Sequence, residues 1–277
     1  MGLDYYEDTF EKAIEIAKES DLVILVCGDD NVTSGEGMDR CSIKLYGRQN
    51  ELVQTVAALG KPVVLVLENG KAVDLQEASD KVDAIITAWF GGELGARAIS
   101  GILTGRINPS GRLPISFPRG EGQLPCYYSR LPGGSTMYLE GDSSALYPFG
   151  HGLSYTEFKY EDMNIEETDK ECCWNVSVQV SNTGSAAGDE VVQMYVRDIQ
   201  SSVVTPDKLL KGFKRISLKP GETKSVSFVV DFDSLKLLNK HMQWVVEAGD
   251  FEIGIGASSE DIRLKDRIHV DQIFIKK

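Results

Sequence analysis

Apolar and polar positions along this chain follow two different periods, and the change between them divides the sequence. Near the N-terminus Phe10, Ala13, Ile14 and Ala17 recur at the spacing of one helix face, behind Asp8-Thr9-Phe10-Glu11, which has the form of a capping box. This predicts a helix ending near Ser20. Leu22 to Val26 is then a short continuous apolar run, the pattern of a strand covered by helices on both faces. The unit repeats: Leu52, Val53, Val56 and Ala57 make a helical stripe closed by Gly60, and Val63 to Leu67 makes a second buried strand after Pro62. Ala84 to Thr87 is a third strand, and Ile99, Ile102 and Leu103 mark a third helix stopped at Gly105. Such alternation predicts a parallel-sheet α/β domain over residues 1–116. Only three strands are legible where a doubly wound sheet has about five or six, so the domain is expected to be incomplete on its N-terminal side. Met1-Gly2 ahead of an acidic helix likewise reads as a start inside a longer gene.

Between residues 117 and 157 neither period is sustained. Gly, Pro, Ser and Tyr dominate, and the aromatic residues Phe117, Tyr127, Tyr128, Tyr138, Tyr147, Phe149 and Tyr155 predict a structured connector packed along domain surfaces. From residue 158 the period becomes two. Trp174, Val176, Val178 and Val180 alternate with Asn175, Ser177 and Gln179. Further strands are expected at Val192 to Val196, Ile216 to Leu218, Val226 to Val230, Gln243 to Glu247 and Phe251 to Ile255, with Pro220-Gly221 and Ala248-Gly249-Asp250 as turns. Residues 158–277 therefore read as an all-β sandwich of the immunoglobulin or fibronectin type III kind. The predicted fold class is α/β plus all-β.

Composition narrows the partners. A formal charge of −13 repels phosphates, and no Lys/Arg-rich run is present, so neither nucleic acid nor an anionic membrane is an expected partner. No run of about eighteen apolar residues appears. The five cysteines are odd in number and match no zinc spacing, which favours free thiols and a cytoplasmic, bacterial-type location. His151, His241 and His269 lie too far apart in sequence to mark a metal site or a triad. No cofactor and no metal is expected. An oligomer is compatible with the sequence.

Ligands of an open α/β sheet bind beyond the carboxyl ends of its strands, which directs attention to the loop after the first strand. That loop carries Asp29, Asp30, Glu36 and Asp39. Glu36 lies between Gly35 and Gly37, which remove side-chain bulk and let the backbone bring a carboxyl group close to a ligand. Asp39 and Arg40 read as a local ion pair or a brace for the loop. Asp29 and Asp30 can meet substrate hydroxyls or simply end the strand. Trp89, after the third strand, can stack on the flat face of a ligand, though a Trp beside a buried strand more often belongs to the core. By itself an acidic, glycine-containing loop is more often a solvated surface turn.

Longer motifs decide between these readings. Ser34-Gly35-Glu36-Gly37-Met38-Asp39-Arg40, followed by Leu45, Gly47 and Gln49, resembles the acid/base loop of glycoside hydrolase family 3 β-glucosidases and β-xylosidases. Val63-Val64-Leu65-Val66-Leu67-Glu68-Asn69-Gly70 resembles the family's second strand and turn, and Ala88-Trp89-Phe90-Gly91-Gly92-Glu93 with Gly95 its Trp-containing loop. Gly105-Arg106-Ile107-Asn108-Pro109-Ser110-Gly111-Arg112-Leu113-Pro114 resembles the exit from that domain. Tyr147-Pro148-Phe149-Gly150-His151-Gly152-Leu153-Ser154-Tyr155-Thr156 resembles the lead-in to its fibronectin-like domain. Lys211-Gly212-Phe213 and Leu218-Lys219-Pro220-Gly221-Glu222-Thr223 resemble that domain itself.

The resemblance implies a two-carboxylate retaining glycosidase with β-linked oligosaccharides or glycosides as substrates. An aspartate on an N-terminal (β/α)8 barrel attacks the anomeric carbon, and a glutamate, here Glu36, protonates the leaving oxygen. This chain shows no barrel pattern and no match for the nucleophile, so the chain alone is expected to be inactive. A retaining site holds its carboxyl groups about 5–5.5 Å apart, and a donor on a separate domain's loop can close over the sugar. The rival reading is a non-catalytic carbohydrate-binding or scaffolding module. A nucleotide-binding α/β protein is disfavoured because no Gly-x-Gly-x-x-Gly loop follows the first strand.

Overall fold

The structure, a computed structural model, describes residues 7–133, 138, 139 and 141–275. Met1, Gly2 and the side chain of Asp8, on which two of the N-terminal expectations rest, lie outside the described residues. Two compact units are present: Met1–Thr104 with Phe117–Cys126 and Ser144–Leu146, and Gly105–Ser116 with Tyr127–Ser143 and Tyr147–Lys277. The segment between the two periodic regions is thus shared out between the units.

The first unit contains α1 (Glu7–Glu19), β1 (Val23–Gly28), α2 (Gln49–Ala57), β2 (Val63–Glu68), α3 (Gln76–Ser79), β3 (Ala84–Thr87) and α4 (Gly95–Leu103). Its three strands are parallel in the order β1-β2-β3, with Val23 opposite Val63 and Val64 opposite Ala84. The helical stripes read from the sequence face this sheet. Ile14 and Ala17 of α1 and Val56 of α2 are buried with Val63, and Phe10, Val23, Leu25 and Leu52 pack against them. Gly60 and Gly105 follow α2 and α4 in the left-handed region, at φ of 71° each, where a side chain would be strained.

One expectation fails here. The run Leu22 to Val26 reads as a strand covered on both faces, yet Ile24 and Val26 are 47% and 60% exposed while Cys27 on the other face is buried. The physical reason is position. Among the described residues β1 is an edge strand packed on its face toward α1 and α2, whereas Val66, beside Val26 on the central strand, is fully buried.

The second unit is a β-sandwich. Strands β4 (Phe158–Glu167), β5 (Trp174–Asn182), β6 (Gly188–Asp198), β7 (Leu209–Leu218) and β8 (Thr223–Val230) are followed by the short α5 (Phe232–Leu235). Then come β9 (Leu237–Leu238), β10 (Trp244–Val246), β11 (Gly249–Gly256), β12 (Ile262–Val270) and β13 (Phe274–Ile275). An antiparallel sheet in the order β12-β11-β6-β7 and another in the order β4-β5-β8 contribute to one core, with a small sheet β13-β10-β9 at its side. Val176, Val178 and Val180 meet Val192, Met194, Ile253 and Ile255 in that core. The alternation of β5 thus predicted its buried face correctly.

Residues between the two sequence periods complete this unit. Tyr128 stacks on Phe149 at a centroid distance of 4.2 Å and meets Tyr195 edge-on at 6.1 Å. Gln193 donates to the carbonyls of Gly150 (3.1 Å) and Ala257 (2.6 Å), and the Ser259 N–H donates to the Phe149 carbonyl. Arg112 and Glu190 form an ion pair at 2.9 Å with side chains only 8% and 3% exposed.

Candidate active site

The loop between β1 and α2 begins at a close approach of two strands. At Gly28, φ is 142°, and a Cβ there would lie 2.0 Å from the Glu68 carbonyl oxygen. Only glycine lets the chain leave β1 this way. The Asp29 N–H donates to that same carbonyl at 2.8 Å, so the first loop residue is tied to β2. At the far end of the loop, Gln49 bonds Gly28 with both ends of its amide, at 2.7 and 2.9 Å.

Asp30 shapes the next turn. Its Oδ1 accepts from the N–H groups of Val32 and Thr33 and from the Thr33 hydroxyl, each at 2.9 Å, an Asx-type turn. These donors, with the Val32 N–H first and the Thr33 hydroxyl next, hold the Asp30 carboxyl below its ordinary range. Asp30 is therefore engaged within its own turn.

Asp29 is buried and paired in this structure. Its side chain is 2% exposed and both oxygens are taken: Oδ1 by Arg40 at 3.1 Å and Oδ2 by the Lys71 ammonium. The second Arg40 nitrogen donates to the Lys44 carbonyl at 2.7 Å, and the guanidinium lies over the Tyr46 ring. Arg40 thus links Asp29 to the descending limb of the loop. Asp39 is exposed and makes no ion pair among the described residues. Lys71 was not singled out by the sequence, although it follows the turn at the carboxyl end of β2, where such a partner belongs. Buried Asn69 holds that turn by donating to the Lys71 carbonyl.

The descending limb is also fastened. The Ile43 carbonyl accepts from Asp74 at 2.9 Å, and the Glu121 carboxylate accepts from the Ile43 N–H at 3.0 Å and from the Ser42 hydroxyl. Those donors, Ser42 first, lower the Glu121 carboxyl below its ordinary range. Leu45 is buried beneath the limb.

Residues 34–39 remain as a tip. Gly35 and Gly37 have φ of 154° and 74°, and one backbone bond, Met38 N–H to Gly35 carbonyl at 3.1 Å, closes the turn. Glu36 is exposed at this tip with no hydrogen bond or ion pair among the described residues. It is a carboxyl group presented to the outside by a frame that is itself firmly held. Trp89 stands apart at the end of β3. It is half-buried, edge-on to Phe117 at 6.1 Å, and its φ of 54° is unusual for a bulky residue. The neighbouring Phe90 is 58% exposed and lies against Gly70.

Among the described residues no group of three or more His, Cys, Asp or Glu side chains is arranged to hold a metal ion, and no helix is long and apolar enough to cross a membrane.

Residues 5–155 match the glycosyl hydrolase family 3 C-terminal domain, and residues 190–259 match a fibronectin type III-like domain. A β-xylosidase of Formosa agariphila is 46% identical over 94% of this chain, and a periplasmic β-glucosidase of Salmonella typhimurium is 40% identical over 91%. The chain spans 37% and 35% of the lengths of these two relatives. A crystal structure of a β-glucosidase from Listeria innocua in complex with glucose superposes with a TM-score of 0.88 at 32% identity, covering 96% of this chain and 38% of that one. For a β-glucosidase of Erythrobacter marinus the values are 0.91, 36%, 97% and 37%. The chain belongs to glycosyl hydrolase family 3, of which it carries the C-terminal domain and the fibronectin type III-like domain.

Proposed function

We propose that this chain is the acid/base-bearing part of a retaining β-glycosidase that removes terminal β-linked glucose or xylose, and that Glu36 is the proton donor. The observation that carries the reading is the exposed Glu36 carboxyl at the tip of a clamped loop at the carboxyl end of β1. The family membership and the names of the relatives support the reaction class and the sugar type.

In the first step the Glu36 carboxylic acid gives its proton to the glycosidic oxygen as the C1–O bond breaks. A carboxylate from a barrel domain outside this chain bonds to C1. In the second step water attacks C1 as the bond to the barrel carboxylate breaks and frees that carboxylate, and the Glu36 carboxylate takes the water's proton, which regenerates the acid. Two inversions retain the β configuration.

The deciding experiment is replacement of Glu36 by Ala in the intact enzyme, with rescue by azide. A variant that keeps full activity on cellobiose overturns the reading.

A further inference from the structure

We infer that Asp29 is a positioning residue: by holding Arg40 and Lys71 together it fixes where the loop presents Glu36. The inference rests on the acid/base reading of Glu36 and adds a residue to it.

Asp29 is tied at its backbone and at both carboxylate oxygens. Its N–H is bound to the Glu68 carbonyl on β2, so its place on the sheet is fixed. Its Oδ1 holds Arg40, which lies eleven residues further along the same loop, and its Oδ2 holds Lys71 from the turn after β2. Through its other nitrogen Arg40 reaches the Lys44 carbonyl on the descending limb. Asp29 thus joins the ascending limb, the descending limb and the neighbouring strand at one buried point.

The tip has no comparable fastening. Beyond Ser34, whose N–H donates to the Asp30 carbonyl at 3.0 Å, the one backbone bond among the described residues up to Arg40 is that from Met38 to Gly35, and the two left-handed glycines flank Glu36. A Cβ at Gly37 would have nothing within 4 Å, so no packing holds that side of the tip. The position of the Glu36 carboxyl is therefore set by its two supports, the Asp30 turn and the Arg40 bond, four residues away. Removing the Asp29 charge leaves two half-buried cations facing each other with the anion between them gone, which pushes Arg40 off its seat. A displacement of about 1 Å in a reacting group can cost on the order of a hundredfold in rate.

The test uses Asp29→Asn and Arg40→Lys in the intact glycosidase that carries this chain. The kcat/KM is read on cellobiose, whose leaving group needs a proton, and on a dinitrophenyl β-glucoside, whose leaving group does not. Asp29→Asn is expected to lower kcat/KM on cellobiose by about tenfold to a hundredfold and to change the dinitrophenyl value far less. Arg40→Lys, which keeps a cation but not the two-pronged reach, should fall between Asp29→Asn and the parent. Hydrogen exchange on the 277-residue chain gives a second readout, in which amides 34–39 should exchange faster in both variants while β2 amides keep their protection.

Equal losses on both substrates, full activity on cellobiose, or unchanged exchange at 34–39 would each overturn the positioning role. If Asp29→Asn does not fold, the same comparisons on Arg40→Lys decide. Glu36→Ala run alongside separates the two claims. When it shows no leaving-group dependence, the acid/base reading itself fails; when it does and the Asp29 and Arg40 variants do not, only the positioning role falls.

Discussion

The side-chain amide of Gln49 is bonded to Gly28 at both ends, its Oε1 accepting from the Gly28 N–H at 2.7 Å and its Nε2 donating to the Gly28 carbonyl at 2.9 Å. The first residue of α2 thereby closes the loop onto the last residue of β1. Gln49→Glu keeps the acceptor and loses the donor, so a carboxylate would face a carbonyl oxygen. We expect Gln49→Glu to destabilise the chain by about 1 kcal/mol at pH 7, the low end for an unsatisfied polar group because both residues are half-buried. Part of that loss should return near pH 4, where a protonated carboxyl donates again. Thermal unfolding of variant and parent at both pH values checks this, and a pH-independent difference would show that the two-ended bond is not what matters.

Glu36→Ala in the intact enzyme should spare kcat/KM for activated aryl glycosides and reduce it by about a hundredfold to ten-thousandfold for cellobiose. Hydrolysis of the glycosyl-enzyme then lacks its base, so the intermediate accumulates and kcat falls for every substrate. Azide needs no deprotonation and should restore kcat, giving the β-glycosyl azide. Asp39→Ala should need no such rescue. The α-azide as product would rule out this assignment.

Arg112 and Glu190 are a buried pair inside the second unit, and Glu190 also accepts from the Val191 N–H at 2.8 Å. Truncating one partner strands the other charge away from water. Arg112→Ala is expected to lower stability by about 3–5 kcal/mol, whereas the double replacement Arg112→Met with Glu190→Leu should cost much less. Urea unfolding of the 277-residue chain, followed by tryptophan fluorescence from buried Trp174, compares them. Equal losses for single and double variants would mean the pair matters through shape and not charge.

His151 and His269 are expected to titrate on opposite sides of their ordinary value near 6.5. Burial, and then the charge of Arg112, push His151 down. The Asp250 carboxylate, 2.6 Å from the His269 ring, pushes His269 up. For His151 the folded value lies below the unfolded one, so its contribution to stability is full above about pH 6.5 and is lost as the pH falls through the folded value. For His269 the contribution is full below about 6.5 and is lost as the pH rises through the raised value. Ring-proton chemical shifts followed from pH 4 to 9 test the order, and His151→Gln should flatten the acid side of the stability curve. Finding His151 above His269 would refute it.

Much of this protein was legible in its residues because local physics decides it. The three-to-four spacing of Ile14 and Ala17 must bury one helix face, the alternation of Trp174, Val176, Val178 and Val180 must bury one face of a strand, and glycines stop helices wherever the chain turns left-handed. Gly35-Glu36-Gly37 could be singled out for the same reason, since glycines on either side of a carboxylate mean a backbone chosen to present it. Strand β4 was harder to see because its alternation is broken at Asp162, where φ is 52° and the register with β5 shifts between Glu161 and Asn164. Ile24 and Leu25 are chemically alike, and the pleat points them to opposite faces of the sheet, of which the one Leu25 enters is covered by α1 and α2 while Ile24 is left exposed. Arg40 stands beside Asp39 in sequence yet pairs with Asp29 and, through it, with Lys71, because a buried carboxylate with no water to solvate it takes whichever cations the fold brings within reach. Which residues form elements follows from spacing along the chain; which charge meets which follows from distances that exist only after the strands have paired.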